Sequence, residues 1–143
     1  MEYIDNLFKY GGRLVLNEAL KAVEEYRKVL NSNDVNEVNK WISNDFIGYF
    51  GYYNDRDYEI YHGESYKLSN VETFESYQGQ NSQWEYTDLT SNLRSENEII
   101  LSSIIDFYLS GEKVASALAM EILKKEQDGW KLYRQHMERY SSC

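Results

Sequence analysis

Along residues 14–30 the apolar side chains recur at steps of three and four, through Leu16, Leu20, Val23, Tyr26 or Arg27, and Leu30. That spacing lays one stripe on a helix and predicts a first helix over 14–30. Gly11-Gly12 separates it from an N-terminal extension, residues 1–12, whose Ile4, Leu7 and Phe8 suit one or two helical turns. After the break NSN, Asp34 stands as an N-cap with Glu37 three residues on, followed by the apolar stripe Val35, Val38, Trp41 and Ile42. A short second helix is predicted there, forming a hairpin with the first.

The period then changes to two, with Phe46, Gly48, Phe50 and Tyr52 alternating against Ile47, Tyr49 and Tyr53. This predicts a strand, and a second short one near 58–62 after the polar turn NDRD. Ser69 and Glu72 match a capping box, with Val71, Phe74 and Tyr77 at helical spacing up to Gly79, so a third helix is expected here. From Gln83 onward only strands are predicted: 83–93, 98–109, 113–126 and 130–139. They are joined by SENE, a turn at Gly111, and Asp128-Gly129. One domain over 1–143 is expected, without repeat or linker.

Charge and composition narrow the function classes. The net charge is −9 over 143 residues, and residues 49–98 hold ten acids against three bases. A field of that sign repels phosphate backbones, so no nucleic-acid partner is expected. No run of 18 apolar residues and no signal-peptide pattern is present, and the one cysteine is Cys143. The expectation is a cytoplasmic protein with no membrane partner and no disulfide. Two histidines and a terminal cysteine give no metal-ligand spacing, NDRDYE lacks the glycine and closing glutamate of a calcium loop, and no glycine-rich phosphate motif occurs. Neither metal nor cofactor is predicted. Proline is absent and tyrosines number 14, with Tyr49, Tyr52, Tyr53, Tyr58, Tyr61 and Tyr66 in one stretch. Such rings suit a pocket for a flat or mixed-polarity ligand, and equally suit ordinary strands.

The element order, the acidic turn NSND, Asp45-Phe46, Gly63, and Asp128-Gly129-Trp130 with His136 six residues after the tryptophan resemble the nuclear-transport-factor-2-like superfamily. Within it the chain looks most like the SnoaL-like domains and the association domain of calcium/calmodulin-dependent kinase. The resemblance spans 14–139 and implies an α+β fold: a cone-shaped, curved, mainly antiparallel sheet wrapped around the helical hairpin plus the third helix, with a pocket at its open end. Members include isomerases, cyclases, dehydratases and pure binding or oligomerisation domains, so the fold does not choose a function.

Strand register decides which residues share the pocket. Two-residue loops at Gly111-Glu112 and Asp128-Gly129 would set Asp106 opposite Ala117, Ser102 opposite Glu121, and Glu121 opposite His136. The face carrying Ser102, Asp106, Tyr108, the alanines 115, 117 and 119, Glu121, Arg134 and His136 is then expected to line the pocket, together with Tyr26 and Tyr49. The opposite face, with Leu101, Ile105, Val114, Leu118 and Met120, is apolar throughout. It is expected to form a homodimer across the sheet.

On that register Asp106, an acid within LSSIIDFYL, is either a general acid or base, or an aspartate satisfied by a neighbour or by solvent. The row Ser102, Glu121, His136 has the residue types of a hydrolase triad. It lacks a nucleophile turn or oxyanion motif, which favours a structural polar row, with His136 and Glu121 as a binding dyad. His62 is either a pocket-rim residue or an exposed strand end. The resemblance to steroid isomerases matches Tyr26 to their helix-one tyrosine. Tyr49, Phe50 and Gly51 stand where their aspartate base should fall, which disfavours that mechanism. The expectation is a dimeric small-molecule-binding domain. The alternatives are an isomerase, dehydratase or cyclase using Asp106 or His136, and an oligomerisation module.

Overall fold

The computed structural model describes residues 2–53 and 56–140, with side chains described from residue 13 onward. Helix α1 (Glu2–Leu30) is followed by α2 (Val35–Lys40), β1 (Ile42–Tyr52), β2 (Glu59–His62), α3 (Gly63–Ser76), β3 (Ser82–Ser95), β4 (Glu98–Leu109), β5 (Glu112–Glu126) and β6 (Gly129–Arg139). The six strands form one sheet in the order β2-β1-β6-β5-β4-β3. Every neighbouring pair is antiparallel except β1 with β6, which run parallel.

The expected order of elements is present, with two changes of boundary. α1 runs without interruption through Gly11-Gly12, so the predicted separation of residues 1–12 does not occur in the backbone. Two glycines weaken a helix, yet the long helical segment after them carries the turn through. α3 begins at Gly63, six residues before the Ser69 cap that the sequence suggested. Ser65 closes its first turn instead, its Oγ accepting from the His62 N–H at 2.9 Å and donating to the His62 carbonyl at 3.1 Å. His62 is exposed and serves as that cap. Gly63 is required there by close approach, because an added Cβ would lie 2.7 Å from the Asn44 carbonyl oxygen and 2.8 Å from that of Ser43. For α2, the Asp34 carboxylate accepts from the backbone N–H of Asn36 and Glu37, as its cap pattern predicts.

The core sits where α1 crosses one face of the sheet. Ala19, Val23 and Tyr26 of the helix pack with Ile42, Phe46, Ile99, Leu101, Leu123 and Leu132, all buried. The helix stripe is therefore rotated from the one expected, with Ala19 and Ala22 inward and Leu20 38% exposed. Alanines let the helix backbone approach the strands closely, and each large aliphatic side chain buried beneath it contributes about 1.5–3 kcal/mol.

The register differs by one residue from that of the expected two-residue loops. The β4–β5 loop is Ser110-Gly111, both at positive φ (51° and 84°), the signature of a type I′ turn, so Leu109 pairs with Glu112. A bulge at Val114 then shifts the ladder, and Asp106 pairs with Ser116, Ser102 with Met120, and Leu101 with Glu121. In the last hairpin Glu126 pairs with Gly129, a second bulge falls at Tyr133, and Glu121 pairs with Gln135 while Met120 pairs with His136. Because side chains alternate between faces, the slip moves every expected β4 pocket residue to the opposite face. β5 keeps its assigned faces, with Ala117, Ala119 and Glu121 inward and Val114, Leu118 and Met120 outward.

Candidate functional site

Between α1, α3 and the covered face of the sheet lies a cavity of about 580 Å³. Two groups of aromatic rings stand along it. On one side Tyr66 of α3 stacks on Phe46 (4.5 Å between centroids) and Phe50 (5.5 Å) of β1, and Tyr61 meets Phe50 edge-on at 5.4 Å and 81°. On the other, Trp84 of β3 lies 5.7 Å from Phe74 and 4.7 Å from Phe107, whose ring is 5.0 Å from Tyr77. Strand alternation turns Phe50, Trp84 and Phe107 inward, and the helical spacing of Tyr66, Thr73, Phe74 and Tyr77 turns them to meet the sheet. Ile105, Ala115, Ala117 and Met137 complete the apolar lining, and Asp57, Glu59 and Arg139 contribute its charged groups.

The polar part of the cavity is a chain of three side chains. Tyr66 donates its O–H to Gln135 Oε1 at 3.1 Å, and Gln135 donates from Nε2 to Glu121 Oε2 at 2.8 Å. Tyr66 and Gln135 line the cavity, whereas Glu121, 2% exposed, stands behind the amide. Burial pushes the Glu121 carboxyl above the usual carboxylate range and the nearby Asp88 adds to this, while Arg27 and the Gln135 hydrogen bond pull the other way. Burial likewise raises the phenols of Tyr26, Tyr66 and Tyr86 well above the ordinary tyrosine value, reinforced by the negative charge of Glu121. All three are neutral hydroxyls at physiological pH. Arg27 is committed elsewhere. Its guanidinium forks onto Asp88 at 2.7 and 3.0 Å, 4.0 Å above the Tyr86 ring, and Ser103 donates to Asp88 at 3.1 Å. Desolvation opposes the Arg27 charge, but the Asp88 hydrogen bond and the attraction of Asp88, Tyr86 and Glu121 together outweigh it. That same bond holds the Asp88 carboxyl below its usual value.

Of the residues singled out from the sequence, Tyr26 lines the cavity and Glu121 stands behind it. Ala115 and Ala117 line it as expected, whereas Tyr49, Ser102, Asp106, Tyr108, Arg134 and His136 lie off the cavity. Asp106, between the inward residues Ile105 and Phe107, points to the opposite face, where it accepts a bond from Ser116 Oγ and has Lys113 at 3.8 Å. Ser102 shares a 2.5 Å hydrogen bond with Thr90 on that face. His136 lies beside Glu138 (3.2 Å) with the rings of Tyr58 and Tyr49 at 5.5 and 6.3 Å, and Tyr49 is exposed. Arg134 donates to the Asp45 and Tyr133 carbonyls and stacks on the Tyr133 ring. Tyr108 pairs with Lys113 and Gln83 near the Ser110-Gly111 turn. The row Ser102, Glu121, His136 therefore does not exist, since Ser102 and His136 flank Met120 while Glu121 sits between Leu101 and Gln135.

The sequence reading passed over Gln135, Trp84, Tyr86 and Phe107. Placing glycine second in the turn, as a type I′ loop prefers, moves the pairing by two and leaves Asp106 on its expected face; the bulge at Val114 is what brings Phe107 inward. No local signal marks that bulge or the one at Tyr133 that turns Gln135 inward. Of the six-tyrosine stretch, Tyr52, Tyr58, Tyr61 and Tyr66 line the cavity, whereas Tyr53 is exposed. Among the described residues no group of three His, Cys, Asp or Glu is arranged to hold a metal ion, and no helix is long and apolar enough to cross a membrane.

No protein-family model matches the sequence, and no curated protein matches it. Solved structures do. A protein from Novosphingobium aromaticivorans with the provisional name scytalone dehydratase superposes with a TM-score of 0.70 at 13% identity, over 92% of this chain and 87% of its own. A nuclear-transport-factor-2-like protein of unknown function from Shewanella oneidensis gives 0.66 at 9% identity, covering 85% of this chain and 97% of its own. A Xanthomonas campestris protein, provisionally named as a calcium/calmodulin-dependent protein kinase II association domain, gives 0.65 at 14% identity, covering 88% of each. The chain shares the fold of these structures, α+β with a six-stranded mixed sheet and three helices.

Proposed function

We propose that this chain is a small-molecule-binding protein whose ligand lies between the two aromatic groups of the cavity. The observation that carries the reading is the pairing of two ring clusters with the polar chain Tyr66–Gln135–Glu121 along one cavity. Its volume falls within the roughly 300–1,000 Å³ usual for ligand sites. Flat apolar surface is what stacked rings recognise, and a few fixed polar groups orient it. An enzymatic reading has one observation in its favour, the buried carboxyl of Glu121 with neutral phenols around it. The provisional dehydratase name of one structural neighbour is compatible with it. The carboxyl, however, addresses the cavity through an amide, which transmits hydrogen-bond polarity and is a poor proton carrier. Binding is the simpler reading.

A homodimer is also proposed, through the sheet face that bears Ile100, Val114, Leu118 and Met120, three of which are more than a third exposed. That patch can meet its own copy across a twofold axis.

The binding reading is tested by titrating flat aromatic compounds against tryptophan fluorescence and melting temperature. A ligand at 100 times its Kd raises stability by about 2.7 kcal/mol, and its fluorescence response should vanish in Trp84→Phe. A panel without any saturable response would overturn the reading.

A further inference from the structure

Resting on the binding reading, we infer that the cavity takes a protonated amine carried on an aromatic body. Three features converge on a cation that donates hydrogen bonds. The first is the floor. Gln135 turns its amide N–H toward Glu121 at 2.8 Å and leaves Oε1 facing Tyr66. The Tyr66 O–H is spent on that oxygen at 3.1 Å, and what its phenol oxygen has left to offer a ligand is lone pairs. The floor therefore accepts hydrogen bonds.

The second feature is the walls. The aromatic residues lining the cavity, Tyr61, Tyr77 and Tyr86 among them, carry negative potential on their ring faces, which attracts a cation. The third is charge. Among the described lining residues Asp57 and Glu59 are acidic and Arg139 is basic, and the nearby cation Arg27 is paired with Asp88. Exposed at the cavity, these acids favour a positive ligand and oppose a negative one.

Calorimetry on the wild-type protein at pH 7 with three probes that share one indole body tests this: tryptamine, tryptophol and indole-3-acetate. Tryptamine should bind at least about 10-fold tighter than indole-3-acetate, with tryptophol between them. Tyr66→Phe should weaken tryptamine by about 2- to 10-fold, the span of one lost hydrogen bond, and leave indole-3-acetate nearly unchanged. Should that variant fail to fold, the wild-type ranking decides alone. Indole-3-acetate binding as tightly as tryptamine would overturn the inference while leaving the binding reading intact. Saturable binding by none of the three would overturn both.

Discussion

The two faces of the sheet are built from nearly the same residue types and meet opposite fates. Neighbours in one strand show it: Ile99 is 0% exposed beneath α1, and Ile100, pointing the other way, is 37% exposed. The inward face carries Leu101, Ile105, Ala117, Ala119 and Leu123, all but sealed by helices, while the outward face carries Val114 and Met120, about half exposed. Hydrophobicity alone thus does not mark a core. What separates the faces is the supply of covering elements: three helices suffice for one side of a six-stranded sheet.

The sharpest way to break this comparison is to truncate both neighbours. Ile99→Ala should cost about 2–5 kcal/mol in urea unfolding, as cavities in a packed core do, and Ile100→Ala less than about 1. Equal costs would mean the outward face is as buried as the inward one. Leu118→Glu asks next whether a second copy covers the outer face. It should convert a dimer to a monomer by sedimentation, by placing an unpaired charge in the interface, while the melt of the monomer stays cooperative. A wild type already monomeric at micromolar concentration would dispose of the dimer.

A smaller effect lies on the inner face. The carboxyl of Glu121 is raised in the folded state, so its contribution to stability is complete below the unfolded value of 4.5 and is lost as pH rises through the folded value. Glu121→Gln should therefore melt higher than wild type at pH 7, with the advantage fading as the pH falls below 4.5. Asp88 runs the opposite way. Its lowered carboxyl stabilises above the unfolded value, and that support goes as pH falls through the folded one. The smallest effect is expected from Asp106→Asn on the outer face. It keeps the Ser116 bond and loses only the Lys113 attraction across 3.8 Å, worth less than about 1 kcal/mol. The ligand-induced shift in melting temperature should not change. A lost shift would return Asp106 to the site.

The order of elements was legible because its signals are local. Asp34 caps the short helix after it, periods of two and 3.6 announce strand and helix, and the SENE and Gly111 turns separate the strands where they should. Tyr26 was legible for the same reason, since a helix stripe points at the core. The faces of β4 and β6 were not, because each depends on one extra residue, Val114 or Tyr133, whose bulges no pattern in those segments announces. A turn misplaced by one position moves the pairing by two and keeps the face, so it was the one extra residue in each ladder that exchanged Asp106 for Phe107 and His136 for Gln135. Glu121 kept its face, but its partners changed with the strands on either side.

The place of β6 in the sheet has a consequence for the timing of assembly. β1 finds its parallel partner in β6, pairing Gly48 with Gln135, so 86 residues of chain are made between them. β6 also bonds β5, which makes it the one strand joining the β2-β1 pair to β5-β4-β3. A nascent chain lacking it holds two separate fragments of sheet, each with an open edge and an apolar face. Folding of this sheet therefore waits on the last of its six strands to be made, with the slow search that distant pairings impose and exposure to aggregation until that strand is available.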